Sequence, residues 1–307
     1  MAYSFTFDDI SGRPVAVVGA GTLGRRIALM FATRGGTVAL YDPNVDVARD
    51  AVAFVEKTLP GVLEERGSGS PGTVVPHDDL AAALGGAWLV VEAVPERLDI
   101  KIPLWGEIDA AADADALFAT NSSSYASSTM SERITDKSRF CNLHFYMPPT
   151  ADAADLMSDG ETDPAVLETL KTVLPEFGVH PFVARRESTG FIFNRVWAAV
   201  KRESLAVVAE GVADPEDVDG MFKINWGMRA GPFQMMDQVG LDVVLDIEEH
   251  YAAENPHLPA GPRALLEKYV DAGRLGVKSG EGFYRYAGPG VPGPGESVPR
   301  EERLTLE

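Results

Sequence analysis

The chain has 307 residues, 45% of them hydrophobic, enough for a substantial core spread over two domains or one large one. A formal net charge of −19, spread along the chain, argues against nucleic-acid or acidic-membrane partners, which need basic patches. Cys141 is the only cysteine, so an internal disulfide is excluded and a reducing, cytoplasmic setting is expected; no signal peptide or long apolar span is read.

In chain order, short apolar runs alternate with stretches of helical spacing. The runs VAVVGA (15–20), TVALYD (37–42), WLVVEA (88–93), LFAT (117–120) and RFCNLHF (139–145) read as buried strands, which with helices between them predicts a parallel sheet. The segment 162–178 reads as a helix capped by Asp163, with Pro164 in its first turn and Gly178 past its end, and 179–184 as a closing strand. Beyond RREST (185–189) the strand pattern stops and consecutive helices run to about Gly273. Residues 288–307, rich in Gly and Pro, read as a mobile or surface-draped tail. The expected domains are 1–187, 188–287 and the tail.

Between the first two strands lies G-x-G-x-x-G at Gly19, Gly21 and Gly24, with Thr22 and Leu23 inside it. A strand before, a helix after and an acid at the end of the next strand are the setting of a dinucleotide-binding turn, where glycines let the backbone approach a pyrophosphate at a helix N-terminus. Asp42 would accept from a ribose hydroxyl and repel a 2′-phosphate, so NAD is expected rather than NADP. The expected fold is therefore α/β: a doubly wound Rossmann-type parallel sheet followed by an all-helical C-terminal domain.

Further segments resemble the 3-hydroxyacyl-CoA dehydrogenase family, from about Arg13 to Tyr286. They are VVEAVPERLDIK (90–101), ATNSSSY (119–125), NLHF (142–145), TGFIFNR (189–195), GPFQMMDQVGLD (231–242) and GRLGVKSGEGFYRY (273–286). The resemblance implies His144 as the catalytic histidine, Ser123 and Asn194 as substrate contacts, and Glu96, Lys101 and Asn121 on the cofactor side. A histidine titrating near neutrality suits removal of a hydroxyl proton while a hydride leaves the same carbinol. It further implies reversible oxidation of a 3-hydroxyacyl thioester in a homodimer formed through the helical domain. The same chemistry on a free 3-hydroxy acid or a carrier-protein thioester, or a non-catalytic NAD-binding protein, are the other readings. His77, His180, His250 and His257 read as structural or solvated, Cys141 as a small buried residue, and no metal site is expected.

The pattern departs from the family in three places. Met147 stands where an asparagine is usual. The segment 59–74 replaces a longer helical hairpin that helps cover the CoA. Leu156 occupies the ungapped position of the glutamate that partners the histidine. Deleting one residue within MPPTADAA (147–154) brings Asp155 onto that position, so Asp155 is expected to orient His144, with Asp152 as its competitor.

Overall fold

The computed structural model describes residues 3–291 and 293–306. Positions 1 and 2 of the first expected domain, and 292 and 307 of the expected tail, lie outside the described residues. Two compact units divide between Ile192 and Phe193.

The first unit begins with a short helix, α1 (Phe7–Ile10), followed by β1 (Val15–Val18), α2 (Thr22–Phe31), β2 (Thr37–Tyr41) and α3 (Val45–Arg66). It continues through β3 (Thr73–His77), α4 (Leu80–Leu84), β4 (Leu89–Glu92), α5 (Leu98–Ala111), β5 (Leu117–Thr120), β6 (Phe140–Met147), β7 (Ala151–Met157), α6 (Pro164–Val173) and β8 (His180–Ala184). The eight strands form one sheet in the order β3-β2-β1-β4-β5-β6-β7-β8. Strands β1 to β6 are parallel, and all of them but β3 were expected from their apolar runs. Strand β7 runs antiparallel to β6 and pairs in parallel with β8. Both faces of the sheet are covered: Val15 and Val17 point into one core cluster, Ala16 and Val18 into another. That two-sided burial is why these strands read as unbroken apolar runs rather than alternating ones.

Neither β3 nor β7 was among the expected strands. The segment 59–74 holds the last turns of α3, which pass through Pro60 to a left-handed Gly67, then a turn and the start of β3. That turn is tied down: Ser70 N donates to Thr33 O and Gly35 N donates to Ser70 O. Residues 147–154, where the one-residue deletion was placed, hold the end of β6, a tight connection and the first half of β7.

The second unit consists of α7 (Phe193–Ala209), α8 (Pro215–Trp226), α9 (Pro232–Val239), α10 (Leu241–Glu254) and α11 (Gly261–Asp271), followed by the short strands β9 (Tyr284–Arg285) and β10 (Glu296–Ser297). Its two motif stretches are tied by one carboxylate: Asp237 in α9 accepts from the amides of Phe283 and Tyr284 and from the Tyr286 hydroxyl. A Cβ on Gly276 or Gly282 would run into Asp237, which explains the glycines there. The stretch read as a mobile or surface-draped tail lies along this unit: β10 pairs with β9, Val298 is buried, and Leu304 and Leu306 pack on its core. None of the described helices is long and apolar enough to cross a membrane.

Candidate active site

The sheet order places β1 and β4 side by side where the winding reverses, and ligands of open α/β sheets bind in the crevice beyond the strand ends at such a point. A cavity of about 810 Å³ opens there, lined by Gly19, Gly21, Asp42, Ala93 and Val94 among others. The three glycines have different reasons to be glycine. Gly19 has φ +102°, and a Cβ on it would sit 2.7 Å from Ala93 O; one on Gly24 would sit 1.7 Å from Gly19 O. Gly21, the N-cap of α2, has no neighbour within 4 Å of its missing Cβ, so the space above it is open. Thr22 and Leu23 form the first turn of α2, whose N-terminus faces this region with unpaired amides suited to a pyrophosphate.

Asp42 braces the turn. Its Oδ2 accepts from Ala20 N and its Oδ1 from Asn44 N, both at 3.0 Å. Each carboxylate oxygen keeps a lone pair, the acceptors a ribose diol needs.

A second cavity, of about 290 Å³, shares Ala93 and Val94 with the first and is lined further by Leu23, Glu96, Lys101, Asn121, Ser123, His144, Phe145 and Tyr146. Most of the residues singled out in the first unit thus meet in two adjoining cavities. Asn194 stands in the first turn of α7, in the second unit.

Lys101, expected on the cofactor side, lines the second cavity with its ammonium turned to protein acceptors. It is 1% exposed, and its ammonium lies 2.7 Å from Glu92 Oε1, 3.2 Å from Glu96 Oε2 and 3.4 Å from Val94 O, so its three donors all meet protein acceptors. Glu92, the last residue of β4, is fully buried and also accepts from Thr120 Oγ1 and Val94 N. The pairing satisfies both buried charges. Glu96 in turn accepts from Ser122 Oγ, Ser123 N and Ser124 N, and so fixes the serine turn. Burial alone would raise the Glu96 carboxyl, but Lys101, the Ser122 hydroxyl and the Ser124 amide outweigh it and hold it below the usual carboxylate range. Asn121 Oδ1 accepts from Phe145 N and joins the ends of β5 and β6.

His144 and Asp155 face each other directly across the β6–β7 pair. On these strands Cys141, Leu143, Phe145, Ala154 and Leu156 point into the core, so alternation sends His144 and Asp155 together to the opposite face. The imidazole Nδ1 lies 3.5 Å from Asp155 Oδ2; both residues are nearly buried, at 5% and 2% exposure. Leu156 pairs with Leu143 and is fully buried. Asp152 lies on the surface, 3.7 Å from His180 Nε2. Met147 is exposed and pairs with Ala151.

Two contacts to the imidazole were not read from the sequence. Phe191 stacks on it, ring centroids 5.1 Å apart and planes 4° from parallel, with its own backbone held at φ +53°, a conformation that costs a non-glycine residue energy. Tyr146 meets the imidazole edge-on at 4.7 Å and donates its hydroxyl to Asp155 Oδ2. A tyrosine two residues beyond a strand histidine shares its face, the one sequence signal that pointed to it. Burial pushes the Cys141 thiol up to about 12, which leaves it inert at neutral pH.

A switch-point cavity with an acid-braced glycine turn, opening toward a buried histidine and carboxylate, defines an NAD-dependent oxidoreductase. Residues 14–188 match the 3-hydroxyacyl-CoA dehydrogenase NAD binding domain and residues 190–286 the 3-hydroxyacyl-CoA dehydrogenase C-terminal domain, and the chain belongs to that family. It is 30% identical over 287 residues to the mitochondrial hydroxyacyl-coenzyme A dehydrogenase of Sus scrofa, covering 89% of this chain and 90% of that one. It is also 30% identical over 283 residues to the 5-formyl-3-hydroxy-2-methylpyridine 4-carboxylate 5-dehydrogenase of Mesorhizobium japonicum, covering 89% and 91%. The solved (S)-3-hydroxybutyryl-CoA dehydrogenase of Ralstonia eutropha superimposes with a TM-score of 0.80 at 26% identity, covering 90% of this chain and 99% of that one.

Proposed function

We propose that this enzyme interconverts 3-hydroxyacyl and 3-oxoacyl thioesters, with His144 exchanging the hydroxyl proton and Asp155 holding the imidazole. NAD, when bound, supplies the hydride chemistry. The observation that carries the reading is the pairing of buried Asp155 with buried His144, which lines a cavity that adjoins the glycine turn. In the oxidising direction neutral His144 takes the proton as the carbonyl forms; in the reducing direction the imidazolium returns it. Asp155 stabilises that imidazolium and favours the tautomer with a proton on Nδ1. Ser123, on the turn fixed by Glu96, and Asn194 are proposed to contact the substrate oxygens. Thr22, Leu23 and Gly21 are proposed to receive the pyrophosphate, Asp42 the adenosine ribose, and Asn121 and Glu96 the nicotinamide side.

A second reading keeps this chemistry but takes a substrate without CoA, a free 3-hydroxy acid or a carrier-protein thioester. It is favoured by α3 passing to β3 through a short tied turn, and by the pyridine carboxylate named for the Mesorhizobium relative. A panel of acetoacetyl-CoA, acetoacetate and an acetoacetyl carrier protein, each followed by loss of NADH absorbance, separates the two. The first reading expects acetoacetyl-CoA to give the highest kcat/KM. A preference for either other substrate makes the second reading the correct one, and NADH binding with no turnover of any would leave neither.

We further propose a homodimer formed through the second unit, supported by the apolar side chains that α8 leaves in water: Met221, Ile224 and Trp226 are 62%, 82% and 68% exposed. Light scattering at micromolar concentration should give twice the chain mass; a monomer mass would overturn this assembly.

A further inference from the structure

We propose that Tyr146 is a positioning residue for the reaction: its hydroxyl fixes the Asp155 carboxylate and sets how strongly that carboxylate draws the proton on His144. The inference rests on the proposed pairing of His144 with Asp155. Tyr146 Oη donates to Asp155 Oδ2 at 2.5 Å, and this same oxygen faces His144 Nδ1 at 3.5 Å. One carboxylate oxygen therefore serves two partners. The phenol holds it closely, while Nδ1 has no hydrogen-bond partner among the described residues.

An aspartate carboxylate turns about a broad terminal torsion, so the end of the side chain needs a second anchor to stay aimed. A phenol donating to a charged oxygen is a short, strong anchor. It also takes up part of the negative charge that would otherwise act on the imidazole. The ring itself meets His144 edge-on and lines the cavity, so the side chain has a packing role as well. Packing and hydrogen bonding separate cleanly, because phenylalanine keeps the ring and loses only the hydroxyl.

The charged and titratable groups around the imidazole come from four places. Asp155 faces it from β7 and Tyr146 from β6, while Glu96, after β4, and Lys101, on α5, line the same cavity and pair with each other. Phe191 and Asn121 carry no charge. Removing the Tyr146 hydroxyl leaves the Glu96–Lys101 pair untouched, so a change at His144 reports on the carboxylate.

The test is an NMR titration of the imidazoles in the full-length protein. The chain has five histidines, and the His144 signal is the one missing from His144→Gln. Tyr146→Phe should move the His144 midpoint upward by about half a unit to one unit, a fraction of what a hydrogen bond to a charged group is worth. The acid limb of kcat/KM should move the same way, because neutral imidazole is the base. In an Asp155→Asn background Tyr146→Phe should move nothing further. An unchanged midpoint, or an equal shift in both backgrounds, would reduce Tyr146 to a packing ring. The titration needs no substrate, so an error in the substrate reading leaves it valid. An unmoved midpoint in an enzyme whose activity depends on His144 would sink this inference alone.

Discussion

Replacing His144 with alanine is expected to lower turnover about a hundredfold or more, the usual scale for losing a general base and equivalent to about 2.7 kcal/mol of barrier. NAD affinity should stay nearly unchanged, because Gly19, Gly21 and Asp42 belong to the neighbouring cavity. The companion experiment asks which aspartate matters. Asp155→Asn removes the negative charge beside Nδ1 and should cost most of the turnover while shifting the pH–rate profile. Asp152→Asn changes a surface side chain beside His180 and should leave both alone. Steady-state kinetics of the three variants decide the matter: full activity in His144→Ala removes the mechanism, and equal activity in the two asparagine variants means that His144 works without a carboxylate.

Gly21→Val should abolish NAD binding and leave the fold intact. The missing Cβ has open space around it and the backbone there has a negative φ, so nothing in the protein objects to a side chain. Only a pyrophosphate at the start of α2 would. The contrast is Gly24→Val, whose Cβ would be driven into Gly19 O and which should unfold the turn and lower the melting temperature sharply. Thermal melts together with titration of NADH fluorescence separate a lost ligand site from a lost fold. Normal NAD binding by Gly21→Val would mean that the cofactor lies elsewhere.

How much of this was legible in the sequence depended on whether a residue's job is local. Strands β1, β2, β4, β5 and β6 could be read because burial makes each a run of apolar side chains, and the glycine turn because its backbone needs are local. Strand β7 was hidden: ADAADLM puts two acids among small residues, and its first residues are exposed, so it resembles a turn. What makes it a strand is pairing on both sides, with β6 and β8, which no local pattern reports. The bracing of Lys101 was hidden for a similar reason. A glutamate ending a buried strand looks out of place until the ammonium that neutralises it arrives from α5. Tyr146 and Phe191 were not singled out in the sequence, and only their common neighbour, His144, gives them a place in the site.

The β6–β7 hairpin makes the distance between His144 and its acid a question of parity. Adjacent residues on a strand point to opposite faces, so sliding β7 by one place would set Leu156 or Ala154 beside the imidazole and turn Asp155 into the apolar layer. Length along the chain is a separate matter: the register shifts by one between Phe145 and Met147, so this irregularity can absorb an added or lost residue without disturbing the pairs nearer the sheet. In this part of the molecule an odd change of length can act as a switch between two faces or disappear into a bulge. An alignment by spacing alone sees one number for both, and so sets Leu156 where the fold has seated Asp155.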